Sequence, residues 1–456
     1  MEQAMINTSP IALKTFIAYL EKIFTISLDD IRLVIADFHA EMQKGLSGYE
    51  SSLKMIPSFV DIPNGNEKGE FLALDLGGTN FRVLAVKLDG KGKTEVLAVS
   101  KFAIPKKTME GTGAQLFDFI AECIDSFLTE NNFDSEKSYD LAFTFSFPVK
   151  QTNIAAGKLI VWTKGFTAKG VVGEDIIRLL NEALKRKKIH CIKVSALAND
   201  TVGTLVARSY ADPTCDLGVI MGTGMNACYR EKISNIGKWR GGNREEHMII
   251  NMEWGNFDRL TLTWYDKQVD EASVNPGAMY FEKMVSGMYL GEITRFVLLD
   301  LIQRDLIFFN EPDAADKFDN KDSLKTEHMS LIERDETTNL EEVEIFLKNN
   351  GISNATFPDR TVLKRLCQII SSRASRLGAA AISAVITWID PELKDMHTVG
   401  IDGSLFEKYP GFGFEMKDIF EKMYREKAGK IALVHSKDGS GRGAAIIAAV
   451  AASRPR

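Results

Sequence analysis

Two segments whose starts lie 145 residues apart repeat one pattern, and that repeat constrains the fold more than any other feature of the chain. Leu72-Ala-Leu-Asp-Leu-Gly-Gly-Thr-Asn-Phe-Arg-Val83 and Leu217-Gly-Val-Ile-Met-Gly-Thr-Gly-Met-Asn-Ala-Cys228 each read as strand, Gly/Thr turn, strand. Their glycines let backbone N–H groups approach phosphate oxygens and adopt conformations barred to residues with a Cβ. The spacing is near one domain length, and 456 residues suffice for two large domains or about three ordinary ones. Two such hairpins, one per half, are expected of a two-domain nucleotide clamp, although β-hairpins with Gly turns are also common in other folds.

The segments around them set the class. Residues 71–76, 83–88 and 96–104 have the alternating, β-branched texture of strands. Then come a helical period at 112–129, a strand at 141–147, a helix at 174–187, a strand at 192–196 and a helix at 201–210. The second half predicts strands at 217–221 and 227–230, then helices at 277–303 and 361–388 interrupted by a charged region at 310–345. A strand at 398–401, a helix at 413–426, a strand at 431–435 and an apolar helix at 441–452 follow. Near the N-terminus Ser27 and Asp30 form a capping pair; Ile31, Val34, Ile35, Phe38 and Met42 mark an apolar face, and Gly45 a stop. Residues 46–69 read as a connector. Strands alternating with helices imply an α/β fold.

Composition excludes several classes. A chain 45% hydrophobic and 26% charged is neither collagen-like, disordered nor a disulfide scaffold. A net charge of −6 is not the footprint of a nucleic-acid binder. The basic run Lys185-Arg186-Lys187-Lys188 closes a helical segment, where positive charge suits the dipole, and reads as a solvated helix end. Cys123, Cys191, Cys215, Cys228 and Cys367 form no CxxC pair and have no His at ligand spacing, so reduced thiols of a cytoplasmic protein are expected rather than a zinc module. The N-terminus lacks a basic leader, and no stretch is expected to reach the ~18 apolar residues of a membrane span, 443–452 being too short.

Taken singly, the candidate motifs are ambiguous. Gly90-Lys91-Gly92-Lys93-Thr94 is no phosphate loop, because Lys87 stands where the Walker pattern needs Gly and strands flank it; a hairpin turn is expected. Gly222 to Ala227 fits a dinucleotide fingerprint only loosely, since a strand rather than a helix follows. In Asp75-Leu-Gly-Gly-Thr-Asn-Phe-Arg82, Thr79 and Asn80 are short donors, Asp75 suits a hydrated Mg²⁺ and Arg82 suits phosphoryl charge; a tight turn with a structural Asp would look the same. Asn199-Asp200 follows a strand and opens a helix, as an ordinary N-cap also would. Asp402-Gly403-Ser404 and Asp438-Gly-Ser-Gly-Arg-Gly443 are turns with caps or backbone approaches to a nucleotide. Asn251-Met-Glu253-Trp-Gly255 and Thr163-Lys164-Gly165 set hydrogen-bonding side chains beside glycine.

In order, DLGGTNFRV, FSFPV, TKGF, ALANDTVGTL, GTGMNACY, NMEWGNF, IDGS and GSGRGAA span Asp75 to Ala445, and together they resemble the eukaryotic hexokinase family. The resemblance implies the two-lobed actin-like, ribonuclease-H-like ATPase fold, each lobe a mixed sheet flanked by helices around a cleft. It implies a large lobe of 1–68 and 199–439 and a small lobe of 69–198 and 440–456. The implied activity is ATP-dependent phosphorylation of glucose, and of related hexoses, at the 6-hydroxyl, the first step of glycolysis. By the same resemblance Asp200 is the base, with Lys164 and Arg82 beside the reaction. Ser146, Thr163, Lys164, Asn199, Asp200, Asn226, Glu253 and Glu282 would hold the sugar. Asp75, Gly77, Gly78, Thr79, Asn80, Arg82, Gly222, Thr223, Gly224, Gly403, Ser404, Ser440 and Gly441 would hold ATP. Mg²⁺ would sit on ATP oxygens and waters, with Asp75 and Asp200 as outer carboxylates.

The chain departs from the pattern between Phe257 and Asn275, where it is shorter, and at Met288, where some relatives carry Lys; no ATP contact is assigned there. It reads as one catalytic unit, a monomer without a membrane anchor. A glucose-restricted form, a non-catalytic glucose sensor and an ATPase of the same fold remain alternatives from these motifs.

Overall fold

The computed structural model describes residues 10–77, 80–162, 164–241, 246–436 and 438–453. Both expected hairpins form, and each seeds a sheet of the same design. In the first, β2 (Lys68–Leu76) pairs antiparallel with β3 (Asn80–Asp89), and β3 with β4 (Thr94–Ala103). On the other side of β2, β5 (Tyr139–Phe145) and β8 (Ile192–Ala198) run parallel to it. In the second, β9 (Cys215–Met221) pairs antiparallel with β10 (Met225–Lys232), and β10 with β11 (His247–Asn251). There β12 (His397–Asp402) and β13 (Ile431–His435) continue in parallel. The orders β4-β3-β2-β5-β8 and β11-β10-β9-β12-β13 are therefore one motif used twice, with β1 (Ile56–Pro57) added beside β11. A separate hairpin joins β6 (Val149–Asn153) to β7 (Ala156–Leu159).

The helix after each sheet's last strand crosses to the other sheet. Asp200–Ala211, following β8, packs on β9 and β10, whereas Gly439–Ser453, following β13, packs on β2 and β5. The two helices meet each other at Gly203 and Gly443, where a Cβ on Gly443 would lie 1.9 Å from the Gly203 carbonyl oxygen. Only the absence of side chains permits that approach. Their apolar faces, with Ala73, Leu84, Val86, Ala142 and Ala196 from the first sheet and Cys215, Cys228 and Ile249 from the second, form one core between the sheets. The outer face of the first sheet is closed by the helices Gly113–Glu130 and Ile176–Arg186. The outer face of the second carries an extensive helical layer around Phe357–Ile389.

Several expectations need correction. The Ser27–Asp30 capping box forms, but its helix, Leu28–Ser47, runs past Gly45 and stops at Gly48, whose φ is 84°. The helix expected over 277–303 is two, Tyr280–Val285 and Leu290–Gln303, because the backbone of Gly287 and Met288 turns aside to bond the carbonyls of Gly222 and Thr223. The charged 310–345 region contains helices Ala314–Asp319 and Thr326–Arg334 and the start of Glu341–Asn349. In the basic run, Arg186 and Lys187 are not merely solvated; they pair with Asp118 and Glu122 of the neighbouring helix. Contrary to the sequence reading, Phe357–Ile389 has the length and hydropathy of a membrane span, yet 89% of that window is buried inside the protein, where it serves as a core helix.

The Glu333 carboxyl is partly buried against that helix, accepting hydrogen bonds from the Ser371 hydroxyl at 2.7 Å and from the Tyr409 hydroxyl. Burial raises its pKa to about 7, against an ordinary 4.5. Between those values the folded chain keeps a proton that the unfolded chain has released, so stability falls as pH rises through this window. Glu333→Gln cannot titrate, so its thermal midpoint should fall less than that of the wild type between about pH 5 and 8. Parallel profiles would refute the assignment.

Candidate active site

The residues singled out in the sequence gather at the carboxyl ends of the parallel strands, where open α/β sheets place their ligands. Strand β2 ends at Leu76, β8 leads into Asn199 and Asp200, β9 into Gly222, and β12 into Gly403. The turn after β13 supplies Asp438, and the first turn of the helix Gly439–Ser453 supplies Ser440. Gly78, Thr79 and Thr163 lie outside the described residues.

One group of contacts surrounds Asp200. Asn199 caps its helix by accepting the Thr201 N–H at 2.9 Å, and Asp200 Oδ1 accepts the same N–H at 2.9 Å. Burial pushes the Asp200 carboxyl above its ordinary range; the charge of Lys164 opposes this, that of Asp75 adds to it, and the Ser146 hydroxyl donates to the ionised form. Lys164 reaches across with its Nζ donating to the carbonyls of Gly77 and Ser146, each at 2.8 Å. Its backbone is left-handed, φ 56°, as is that of Glu253, φ 53°. Such conformations in non-glycine residues persist only where the surroundings fix them.

Glu253 and Glu282 come from the other side. Burial raises both carboxyls, with Asp200 and Glu282 adding repulsion at Glu253, whereas the Met225 N–H and Lys164 favour ionised Glu282. Met225 N–H donates to Glu282 Oε2 at 3.0 Å, which ties the helix Tyr280–Val285 to the β9–β10 turn. Asn226 Nδ2 lies 3.3 Å from Glu253 Oε1. Three carboxylates, an amide and the Lys164 ammonium thus lie within interaction range of one another, a set suited to a polyhydroxylated ligand.

A second group surrounds Asp75. Its Oδ2 accepts from Arg82 and, at 3.1 Å, from the Ser440 hydroxyl. Arg82 Nη1 donates to Asp438 Oδ1 at 2.6 Å. Burial works against the guanidinium's charge, but Asp75 and Asp438 more than offset it and hold its pKa above the ordinary value. Both terminal nitrogens of Arg82 are engaged by carboxylates, and the pairing with Asp438 is one that the sequence did not reveal. Gly403 has φ 129°, and a Cβ there would be 2.4 Å from the Met221 carbonyl, so the β12 loop can lie on the β9 turn only as glycine. Asn80 is exposed at the start of β3, Thr223 is exposed on its turn, Ser404 is exposed at the start of the helix Ser404–Lys408, and Gly441 is in the first turn of the helix Gly439–Ser453.

Family models described as hexokinase match residues 17–210 and 216–450. The chain is 39% identical over 441 residues to Hexokinase-1 of Schizosaccharomyces pombe, covering 95% of this chain and 90% of that protein. It belongs to the hexokinase family. Hexokinase-3 of Rattus norvegicus is 40% identical over 437 residues, covering 94% of this chain and 46% of that protein, so the chain spans about half the length of the mammalian relatives it matches. A hexokinase from Schistosoma mansoni complexed with glucose superposes with a TM-score of 0.84 at 36% identity, covering 97% of this chain and 99% of that one. A second hexokinase crystal structure gives 0.84 at 30%, covering 96% and 99%.

The repeated sheet motif and its crossed helices are accordingly those of the hexokinase fold, the two-lobed actin-like ATPase architecture. Among the described residues, no group of three or more His, Cys, Asp or Glu side chains is placed to hold a metal ion. Asp75 and Asp200 lie close enough for their like charges to repel.

Proposed function

We propose that this chain transfers the γ-phosphoryl group of ATP to the 6-hydroxyl of glucose and related hexoses. The observation that carries this reading is the convergence of Asp200, Glu253 and Glu282 with Asn226 and Lys164, directly beside the two glycine-turn hairpins. Relatives named hexokinase, one of them complexed with glucose, support it. In this reading Ser146, Thr163, Lys164, Asn199, Asn226, Glu253 and Glu282 fix the sugar's hydroxyls, and Asp200 accepts the 6-hydroxyl proton. Proton removal is late in a loose phosphoryl transfer, so orientation contributes more than basicity. A carboxyl raised above its ordinary pKa is still the better base for it.

The glycine-turn backbones of residues 77–80 and 222–224, with Gly403, Ser404, Ser440 and Gly441, would cradle the nucleotide. Arg82 would act on that side chiefly by holding Asp75 and Ser440. Asp75 and Asp200 would serve as outer carboxylates to a magnesium ion held by ATP oxygens and waters, since a divalent cation would relieve their repulsion; when bound, the ion would supply charge neutralisation on the phosphates. The proposal includes lobes of 1–68 with 199–439 and 69–198 with 440–456, whose approach would exclude water from the phosphoryl group. It also places the chain in the cytoplasm as a monomer, where its five unpaired cysteines suit a reducing compartment; fractionation and light scattering check both points.

The test is ADP release from Mg·ATP with and without glucose. Glucose-dependent ADP formation is expected. Release indifferent to glucose would indicate an ATPase, and silence with glucose bound, a sensor.

A further inference from the structure

Glu253 is an acceptor at both oxygens, with no donor, only if it stays ionised among Asp200 and Glu282, and burial opposes that. Foremost among the groups favouring its charge is Asn251, to which the proposed reaction gives no part. Asn251 ends β11, is buried, and lies opposite Cys228 of β10. Its Nδ2 donates to Glu253 Oε1 at 2.8 Å, and its Oδ1 accepts from Asn226 Nδ2 at 2.8 Å.

This relay has a direction. An ionised carboxylate only accepts, so Asn251 must turn its NH₂ group toward Glu253. Its single side-chain oxygen then faces Asn226, which must answer with its own NH₂ group. Asn226 Oδ1 in turn accepts the Ala227 N–H at 2.8 Å. Flipping any one amide would set oxygen against oxygen or NH₂ against NH₂. With Oε1 taking both Asn251 and Asn226, Glu253 Oε2 is the oxygen left for a ligand.

We propose that Asn251 is a positioning residue that sets the hydrogen-bond polarity of the sugar side, keeping Glu253 an acceptor and fixing the amide of Asn226. The inference rests on the hexose-kinase reading above. It does not require that Asn251 touch the sugar.

The test compares purified full-length wild type with Asn251→Asp and Asn251→Ser, measuring kcat and the KM values for glucose and for Mg·ATP from about pH 6 to about pH 8.5. Asn251→Asp preserves shape but sets a second carboxylate against Glu253. At the alkaline end its KM for glucose should rise about tenfold or more, with that for ATP within about twofold. Toward pH 6 the deficit relative to wild type should shrink, because the protonated carboxyl at this position can donate to Glu253 as the amide did. Asp200 and Glu282 act on the same carboxylate in both proteins, so the ratio to wild type isolates the new group. Asn251→Ser removes the relay without adding charge, and should raise the glucose KM with little pH dependence.

A glucose KM within about twofold of wild type in both variants would overturn the inference, as would parallel losses for glucose and ATP. If Asn251→Asp does not fold, Asn251→Ser decides by the same split. A wild type that phosphorylates no hexose overturns the proposed function, and this inference with it, before any variant is compared.

Discussion

Asp200→Asn should lose about 10²–10⁴-fold in kcat, the usual worth of a positioned general base. Its glucose affinity should stay within roughly tenfold, because an amide keeps the shape and one acceptor oxygen of the carboxylate. The expectation follows from the separation of roles around the sugar side. Glu253 and Glu282 are held by Asn251 and by the Met225 N–H, independently of Asp200. Asp200 itself is fixed by the start of its helix, so the substitution should leave the others in place. The wild type's acid limb should lie above that of an exposed Asp, since burial raises this carboxyl and only its ionised form can take a proton. Steady-state kinetics with a glucose-binding titration separate the two effects. Turnover retained in the variant would move the base elsewhere.

The largest stability effect is expected at Arg373→Met. Arg373 and Asp266 are joined by two hydrogen bonds of 2.8 and 2.7 Å, with side chains only 1% and 3% exposed. Asp266 also accepts the Thr263 N–H at 2.8 Å and the Thr263 hydroxyl at 2.7 Å, capping the helix Trp264–Glu271. Burial alone would push Asp266 up, but Arg373 holds it below the ordinary carboxylate range. Removing the guanidinium strands that carboxylate in the core, which costs about 3–5 kcal/mol. Urea unfolding measures the loss. Adding Asp266→Asn to the variant should recover part of it, because an unpaired buried amide costs less than an unpaired buried charge. A loss below about 1 kcal/mol would put the pair among solvent-exposed salt bridges and contradict its burial.

The sequence made the strands of both hairpins legible because their alternation is local. The 431–435 strand matches its structural bounds, and the 90–94 turn sits where expected, between β3 and β4. What it hid depends on contacts distant in sequence. The break at 286–289 arises from hydrogen bonds to the turn at Gly222 and Thr223, which no periodicity of the helix itself encodes. Phe357–Ile389 looks like a membrane span by hydropathy and becomes a core helix only because other elements surround it. Asp438 was visible as a turn residue, but its partner Arg82 is 356 residues away. Asn251 stood in plain view two residues from Glu253. Nothing in their spacing says that an amide on a strand and a carboxylate in a left-handed turn will face each other.

The exchange of helices between the sheets has a consequence for synthesis. The helix Gly439–Ser453, which covers β2 and β5, begins 241 residues after β8 completes their sheet. At 5–20 residues per second, translation leaves that face without its cover for roughly ten to fifty seconds. Ala73, Leu84, Val86, Ala142 and Ala196 are then available to solvent or to other nascent chains. Ribosome-bound chains halted at residue 438 should accordingly be cut by protease within 68–198 much faster than chains in which 439–453 has emerged. Equal protection would mean that the first sheet closes without the helix that the folded protein lays across it.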